Sequence, residues 1–432
     1  MTTTSSRTLA VARALTALTV LACSDNGATT SVSTGTRFCP SGGAGSYATL
    51  NDAVANTPAN GQIVVCDGTW DLDDQVISKP LTIRSEHSGG AAIRDADTLR
   101  VAQQGRPAIR VSGFTSGTVR FVDLTFRIGG RGVVPSGEVP GTTRDTTGTY
   151  DKVVFDSTHW ISRSATSAIG VVVRASTVPT AKVTFTHSDA VDMYIGIWSL
   201  AQVETETTFS TFNHTTIAGP DYSGNNVSDG GSFGTIADNT LHLCGSQGCI
   251  RIVGGGQVLV ARNTMDGIPG ASSLGGIVLA RPTSPGPTGV LTIQDNVVNG
   301  AAISGASGSG AWTFQAGISL QDGAPSQHVV TGNKLNNVYI GISALAEATA
   351  SNNVITGATF GVSQSSLRTL LFNRNDVINA ATSFQAPGGA GNYTCNWWGQ
   401  ASGPILPAGA AGASLYTPFA TARIAGTTNA CP

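Results

Sequence analysis

The sequence carries little charge. Of its 432 residues, 24 are Lys or Arg and 26 are Asp or Glu, so the formal net charge is −2. Charged residues make up 12% of the chain, about half the usual share for a soluble protein. Without a basic excess to neutralise phosphates, the composition excludes a nucleic-acid binder that depends on bulk charge. The scarcity of Glu and Lys also excludes a coiled coil.

Aromatic residues are also scarce, at 6%, and no apolar run is long enough to span a bilayer. Apolar residues nevertheless reach 40%, which is enough to fill a core, so the chain is not intrinsically disordered. The abundant residue is Gly, with 54 copies beside 18 Pro. Length alone would allow several domains, but elongated β architectures reach this size as one domain.

The first 23 residues predict an export signal. Arg7 and Arg13 provide its positive start, and the mostly apolar stretch from 14 to 22 is too short to span a bilayer. It ends in Val-Leu-Ala-Cys, which resembles a bacterial lipobox, so we expect Cys23 to be lipidated and to anchor the protein at the outer membrane or cell surface. An ordinary signal peptide cleaved near Ala22 is the alternative. We expect a flexible linker at 24–37.

Six cysteines remain after Cys23, and an even number in an exported chain predicts disulfides. Fifteen pairings are possible. We expect neighbours in the sequence to pair because the loops they close are the shortest. The expected pairs are Cys39 with Cys66, Cys244 with Cys249, and Cys395 with Cys431.

An Asn recurs in one context through the second half of the chain. Each copy has an apolar residue three positions before it and another two positions after it, a pattern typical of two short strands meeting at a corner. We expect the Asn to adopt the left-handed conformation that turns the chain, and stacked Asn side chains to hydrogen-bond between coils. The seven markers are Asn239, Asn263, Asn296, Asn333, Asn353, Asn375 and Asn396.

A third strand follows in the later repeats, where it begins with Gly and a β-branched residue at Gly276, Gly317, Gly341 and Gly361. Three short strands per repeat describe one rung of a parallel β-solenoid. Less regular corners occur upstream, which gives about eleven rungs in all. Tyr47, Leu50 and Val54 recur at helical spacing and predict a short helix that caps the first rung.

The segments 46–54, 61–65, 67–70 and 79–84 resemble the opening of right-handed parallel β-helix proteins of the pectin-lyase-like superfamily. The Asn and Gly-Ile repeats resemble its rungs, and the segment 395–404 resembles a closing motif of surface-exposed members. The resemblance implies an all-β, right-handed parallel β-helix over residues 38–432. It does not imply an activity, because the superfamily includes lyases, esterases, polygalacturonases and adhesins. The sequence lacks the motifs of its polygalacturonases, pectin esterases and uronan epimerases.

Alternation along the third strands predicts a candidate binding face. If Ile109, Val171, Ile197 and Ile250 point inward, their outward neighbours share one side of the solenoid when the rungs align. Guanidinium groups pair with carboxylates, and an indole stacks on the apolar face of a sugar ring, so this face suits a glycan, especially an acidic one. The predicted ligand-binding residues are Arg110, Arg174, Trp198 and Arg251, with Tyr222 in a nearby loop.

Four aspartates are candidates for chemistry. Asp189 and Asp192 precede the strand that carries Trp198, and Asp221 and Asp229 lie in the longest central loop. Their carboxylates could hold Ca²⁺ or act as acid and base; ordinary turn aspartates are the alternative. Four histidines recur at spacings of 28, 27 and 28, namely His159, His187, His214 and His242. Their phases relative to the corners differ, which argues against a single column.

These observations predict an exported, lipid-anchored β-helix that binds a polysaccharide or cell-surface glycan along its side, with a membrane anchor, no nucleic-acid partner and a monomeric state. The alternative is a polysaccharide-cleaving enzyme, with a lyase favoured over a glycoside hydrolase. Its catalytic candidates are Arg174, Arg251, Asp189 and Asp192, and Ca²⁺ is the cofactor it would use.

Overall fold

The structure is a computed structural model that describes residues 35–95, 107–135, 147–163, 168–199, 203–215, 220–223, 233–244, 248–253, 257–280, 289–321, 327–364, 368–385, 391–407 and 416–427. Almost all regular structure in these segments is short β-strand, which confirms the predicted all-β solenoid. The predicted export signal, most of the linker and Cys23 lie outside the described residues.

The elements follow one another in chain order. The first are β1 (Thr36–Phe38), β2 (Ser46–Tyr47), α1 (Leu50–Asn56), β3 (Gly61–Val65), β4 (Gly68–Leu72), β5 (Gln75–Ile77), β6 (Leu81–Ser85), β7 (Ala91–Asp95), β8 (Pro107–Val111), β9 (Thr118–Val122), β10 (Thr125–Ile128), β11 (Arg131–Pro135), β12 (Lys152–Asp156) and β13 (His159–Ser162). The central ones are β14 (Ile169–Val173), β15 (Lys182–Thr186), β16 (Asp189–Val191), β17 (Ile195–Ser199), β18 (Glu204–Thr208), β19 (Thr211–Thr215), β20 (Pro220–Ser223), β21 (Phe233–Ala237), β22 (Thr240–Cys244), β23 (Ile250–Val253), β24 (Val258–Ala261), β25 (Thr264–Gly267) and β26 (Ile277–Ala280). The last are β27 (Leu291–Gln294), β28 (Val297–Asn299), a 3₁₀ turn (Gly308–Ala311), β29 (Ala316–Leu320), β30 (His328–Thr331), β31 (Lys334–Asn336), β32 (Ile340–Ala344), β33 (Ala348–Ser351), β34 (Val354–Thr356), β35 (Phe360–Gln364), β36 (Leu370–Asn373), β37 (Asp376–Ile378) and β38 (Thr382–Gln385).

The strands form three parallel sheets that run the length of the solenoid. The first sheet has 14 strands in the order β2-β1-β3-β6-β9-β12-β15-β18-β21-β24-β27-β30-β33-β36. The second has 12, from β4 and β7 through β10 and every third strand to β37, and the third has 12, from β5 and β8 through β11 to β38. Each coil therefore contributes one strand to each sheet, and each strand pairs with its equivalents one coil before and one coil after.

The core lies inside the three sheets and changes character along the axis. Aromatic rings fill the N-terminal half, where Phe121 stacks on Phe155 at 5.2 Å and Phe126 stacks on Trp160 at 4.0 Å. Aliphatic side chains such as Ile293, Leu335 and Ile355 fill the coils that follow and are fully buried, and aromatic rings return in the last coils, where Phe372 stacks on Trp398. The apolar residues three before and two after each Asn marker all belong to this buried set, as the repeat pattern predicts.

The marker asparagines form a buried ladder between the first and second sheets. Asn296 is typical: its Nδ2 donates to Oδ1 of Asn333 at 2.9 Å and to the carbonyl of Val260 at 2.9 Å. Its own Oδ1 accepts from the backbone N–H of Asn263 at 2.9 Å. The same contacts link the markers from Asn239 to Asn396. The predicted hydrogen bonding between coils is therefore confirmed.

The marker Asn is not the residue that turns the chain, and this part of the prediction was wrong. The left-handed residue is the one before each marker, with φ between 53° and 70°. The physical reason is that the buried Asn must point inward to reach its neighbours, so the preceding residue takes the turn and exposes its side chain. These turning residues are Asp238, Arg262, Asp295, Gly332, Asn352, Arg374 and Cys395.

A short helix precedes the first full coil, as predicted. Thr49 caps α1 by accepting the N–H of Asp52, and Leu50 and Val54 are buried in the core. Tyr47 was predicted to share this helix but lies in β2 instead.

Two predicted disulfides are present, Cys39–Cys66 and Cys244–Cys249. Cys395 is also disulfide-bonded, and its predicted partner Cys431 lies outside the described residues. Among the residues that the structure describes, no helix is long and apolar enough to cross a membrane.

Candidate functional site on the third sheet

The lengths of the connections distinguish the third sheet from the other two. Every connection from the first to the second sheet, from β9–β10 to β36–β37, has two residues. Connections into the third sheet vary from 2 residues (β10–β11) to 16 (β28–β29), and those leaving it vary from 3 (β5–β6) to 16 (β11–β12). The connections on both sides of the third sheet therefore differ in length from coil to coil, so this sheet is flanked by the most variable part of the chain.

The register of the third sheet aligns the predicted face. Arg110 pairs with Val134, Val172 with Trp198, Trp198 with Asp221, and Asp221 with Arg251. These positions therefore form one column, with Trp198 and Arg251 two rungs apart, about 10 Å along the axis. Arg174 follows β14 directly, two residues beyond Val172 and thus beside the same column.

Trp198 rests on an apolar patch on the outside of the solenoid. Together with Tyr194 it packs against Val134, Ile169 and Val172, which are fully buried although they do not belong to the inner core. The indole is therefore held by its neighbours, and it remains partly exposed. Such an anchored aromatic group loses little conformational entropy when a ligand stacks on it.

Arg110 is tied to the protein by a buried ion pair. Its side chain is 8% exposed and forms a bidentate ion pair with Asp74, in which Nη2 lies 2.9 Å from Oδ2. Breaking a buried pair of this kind leaves an uncompensated charge, so the contact is strongly held. We therefore treat Arg110 as part of the scaffold of the face, while Arg174 and Arg251 remain partly exposed.

Of the predicted aspartates that the structure describes, only Asp221 lies in this column. Asp189 is in β16 of the second sheet, where its carboxylate pairs with Nδ1 of His159 on the preceding coil. Asp192 follows β16 with φ 56°, at the corner that leads into the third sheet. Asp221 is in the column, but only its backbone and that of Tyr222 are described, and Asp229 lies outside the described residues.

The described residues contain one group of three side chains that could hold a metal ion, and it is not the predicted one. The donor atoms of Asp67, Glu86 and His87 lie within 4.8 Å of one another. Glu86 is already paired with Arg37 at 2.6 Å, and His87 with Asp67 at 2.7 Å. Asp189 and Asp192 do not belong to this group, so the proposal of Ca²⁺ at those two residues stays a prediction.

Three of the four recurring histidines form carboxylate pairs, and they lie on different parts of the coils. His159 and His242 lie in strands of the second sheet and pair with Asp189 and Asp266, whereas His187 is at a left-handed corner. The side chain of His214 is not among those that the structure describes. His159 and His242 therefore occupy a different part of the coil from His187, in agreement with their different distances from the corners in the sequence.

One carboxyl group that the sequence did not reveal lies near the edge of the third sheet. Asp95, at the end of β7, accepts from the N–H groups of Gly129 (2.9 Å) and Gly130 (2.6 Å), and Arg163 lies 3.4 Å away. Burial raises the pKa of Asp95, and these hydrogen bonds oppose the shift. Its partners lie 34 to 68 residues away in sequence, so no local pattern could have identified it.

Comparison with known proteins agrees with this architecture. Residues 169–360 match the model of the right handed beta helix region. The protein is a right-handed parallel β-helix. No curated protein sequence matches it.

Among solved structures, the β-helix is similar to the catalytic unit of a thermostable GH87 α-1,3-glucanase from Streptomyces thermodiastaticus strain HF3-3. The TM-score is 0.57 at 12% identity, over 79% of this chain and 65% of the glucanase unit. This chain thus covers less than two thirds of that unit, and the likeness concerns the fold.

Two epimerases are more distant. The periplasmic alginate epimerase AlgG matches with a TM-score of 0.39 at 12% identity, over 77% of this chain and 83% of that one. The A-module of the Azotobacter vinelandii mannuronan C-5 epimerase AlgE6 matches with a TM-score of 0.39 at 11% identity, over 80% and 93%.

Proposed function

We propose that this β-helix is an exported, lipid-anchored surface protein that binds polysaccharide on the outer face of its third sheet. The observation that carries the proposal is the column in which Trp198 and Arg251 lie two rungs apart, with the indole supported by an apolar patch. The disulfides agree with export, because such bonds persist in oxidising compartments.

The chemistry of the face suits a sugar chain that runs along the axis. The indole of Trp198 offers a flat apolar surface for one ring, and Arg251 offers hydrogen-bond donors and a positive charge about two rungs away. Arg174 adds a second guanidinium beside the column. Two arginines favour a polysaccharide that carries carboxylates.

The test uses the chain with Cys23→Ser, which cannot be lipidated, and measures retention on alginate, as the acidic glycan, and on α-1,3-glucan, as the neutral one. Trp198→Ala should reduce retention about tenfold on the glycan that binds, since aromatic stacking contributes on the order of 1 kcal/mol or more. Arg251→Ala should reduce retention on alginate more than on the glucan, and added salt should have the same effect.

Matched controls come from elsewhere on the same chain. Trp312 is a partly buried tryptophan near the 3₁₀ turn, and Arg127 is an exposed arginine on the second sheet. Trp312→Ala and Arg127→Ala should leave retention unchanged. If Trp198→Ala and Arg251→Ala also leave it unchanged, the third-sheet face is not the binding site.

The alternative function is polysaccharide cleavage. The observation that favours it is Asp95, a buried carboxyl group of raised pKa at the corner that leads into the third sheet, since a general acid requires such a shift. Incubation with the same glycans should then release new reducing ends, or an unsaturated product that absorbs in the ultraviolet if the enzyme is a lyase. Asp95→Asn should abolish release by a hydrolase, whereas absence of any product supports the binding function.

A further inference from the structure

The corner between the first and second sheets contains an unusual aromatic residue. At most coils the left-handed position of this corner holds Asp, Asn, Gly, Ser or Arg. On the coil that joins β18 to β19 it holds Phe209, with φ 50° and 58% of the side chain exposed. A bulky residue is disfavoured in this conformation, and here its ring is not buried in return. Strain of this kind without burial points to a role outside the fold.

The ring of Phe209 is held in a defined orientation. It stacks on the imidazole of His187, the turning residue one coil earlier, with ring centroids 5.5 Å apart and planes 9° apart. Nδ1 of His187 lies 3.3 Å from Oδ1 of Asp156 and 3.3 Å from Oγ1 of Thr186, and the imidazole is itself largely exposed. The two rings therefore form a face-to-face stacked pair that is largely exposed to solvent, which we name the corner platform.

Polar groups border the corner platform on the next coils. Asp238 is the turning residue one coil after Phe209, and its carboxylate is bound by Nε and Nη2 of Arg262 at 2.7 Å each. The guanidinium of Arg262 lowers the pKa of Asp238, which therefore stays ionised as an acceptor. An aromatic surface beside a fixed acceptor and donor suits a sugar ring, which has an apolar face and hydroxyl groups at its edge.

We propose that Phe209 and His187 form a second glycan contact, which takes one pyranose ring of a polysaccharide on the corner platform while Asp238 and Arg262 bind its hydroxyl groups. The inference rests on the proposed function, since the partner is of the same class. The site is distinct: in a three-sided solenoid the corner between the first and second sheets lies opposite the third sheet. One protein molecule therefore contacts two glycan chains and cross-links them.

The test uses the Cys23→Ser chain with Phe209→Ala and Phe209→Asn, and alginate and α-1,3-glucan as probes. Both substitutions should reduce retention at least threefold. Because Asn tolerates the left-handed conformation better than Phe, Phe209→Asn should also raise the denaturation midpoint. A variant that is more stable but binds less well is the signature of a residue kept for binding. Leu371→Ala, which removes an apolar residue 40% exposed on the first sheet, is the matched control and should leave retention unchanged.

Comparison with Trp198→Ala separates the two proposals. If Trp198→Ala weakens retention and both Phe209 variants do not, the corner platform is wrong and the third-sheet face stands. If only the Phe209 variants weaken it, the platform stands and the third-sheet face is wrong. A lower midpoint for Phe209→Asn would show a structural role and overturn the platform, and lack of retention by the unsubstituted chain on both probes would overturn both proposals.

Discussion

Replacing Asn296 by Ala should destabilise the β-helix far more than replacing an Asn on the surface. The side chain is fully buried in the middle of the ladder. Its Nδ2 donates to Asn333, to Val260 and to Gln294, and its Oδ1 accepts two bonds from Asn263. Ala would remove all of these contacts at once.

The magnitude follows from the groups that lose their partners. The backbone N–H of Asn263 donates only to Asn296, so the substitution leaves a buried donor unsatisfied, which costs about 1–3 kcal/mol. The other groups keep one further contact each, and their losses are about 0.5–1 kcal/mol apiece. With four such groups, we expect Asn296→Ala to lower the free energy of unfolding by about 3–7 kcal/mol.

The assay is urea denaturation followed by circular dichroism, with the midpoint as the readout because solenoids need not unfold in two states. Asn299→Ala is the matched control, since Asn299 is exposed and accepts a single bond from Asn336; its effect should stay within about 0.5 kcal/mol. Asn296→Ser should fall between the two, because Ser210 already accepts the N–H of Ser188 at an upstream ladder position. Equal effects of Asn296→Ala and Asn299→Ala would refute the reasoning.

Two further predictions concern packing and pH. A Cβ on Gly341 would lie 2.3 Å from the carbonyl oxygen of Gly361 and 2.6 Å from Ile355, so Gly341→Ala should cost at least about 2 kcal/mol in urea denaturation. Gly310→Ala, which meets nothing within 4 Å, should be near neutral, and equal midpoints would contradict the contact argument. Because burial raises the pKa of Asp95 above the 3.8 of the unfolded chain, the native state holds this proton to higher pH. The stability of the unsubstituted chain relative to Asp95→Asn should therefore be greatest below pH 3.8 and fall as the pH rises through the native pKa of Asp95. The measurement is the urea midpoint of both chains between about pH 3 and 7. A constant difference between the two midpoints would contradict this sign.

The ladder was visible in the sequence because its chemistry admits few residues. A side-chain amide donates two protons and accepts through its oxygen, so one Asn satisfies the next marker, a carbonyl and the preceding N–H at once, and Asn recurs at every such position from Asn239 onward. The turning position carries no such signal. It holds Asp, Arg, Gly, Asn or Cys, because its side chain points to solvent and only the backbone conformation is constrained.

The candidate site was harder to predict from the sequence than the ladder was. Alternation within one strand was enough to place Trp198 and Arg251 on the same side, because strands of neighbouring coils align in register. The partners of Arg110 and Asp95 were not predictable, since Asp74 and Arg163 are set by the lengths of irregular insertions. Phe209 follows the His187 corner in an irregular part of the repeat, and its left-handed φ and its exposure are visible only in the structure.

The two-residue corners also divide the molecule into a part that has to stay constant and a part that is open to change. An insertion between the first and second sheets would displace a ladder residue and disturb two neighbouring coils. The connections on either side of the third sheet already range from 2 to 16 residues on the same scaffold. New loops can therefore be inserted there one coil at a time, so the surroundings of this face can change while the stack that supports it stays the same.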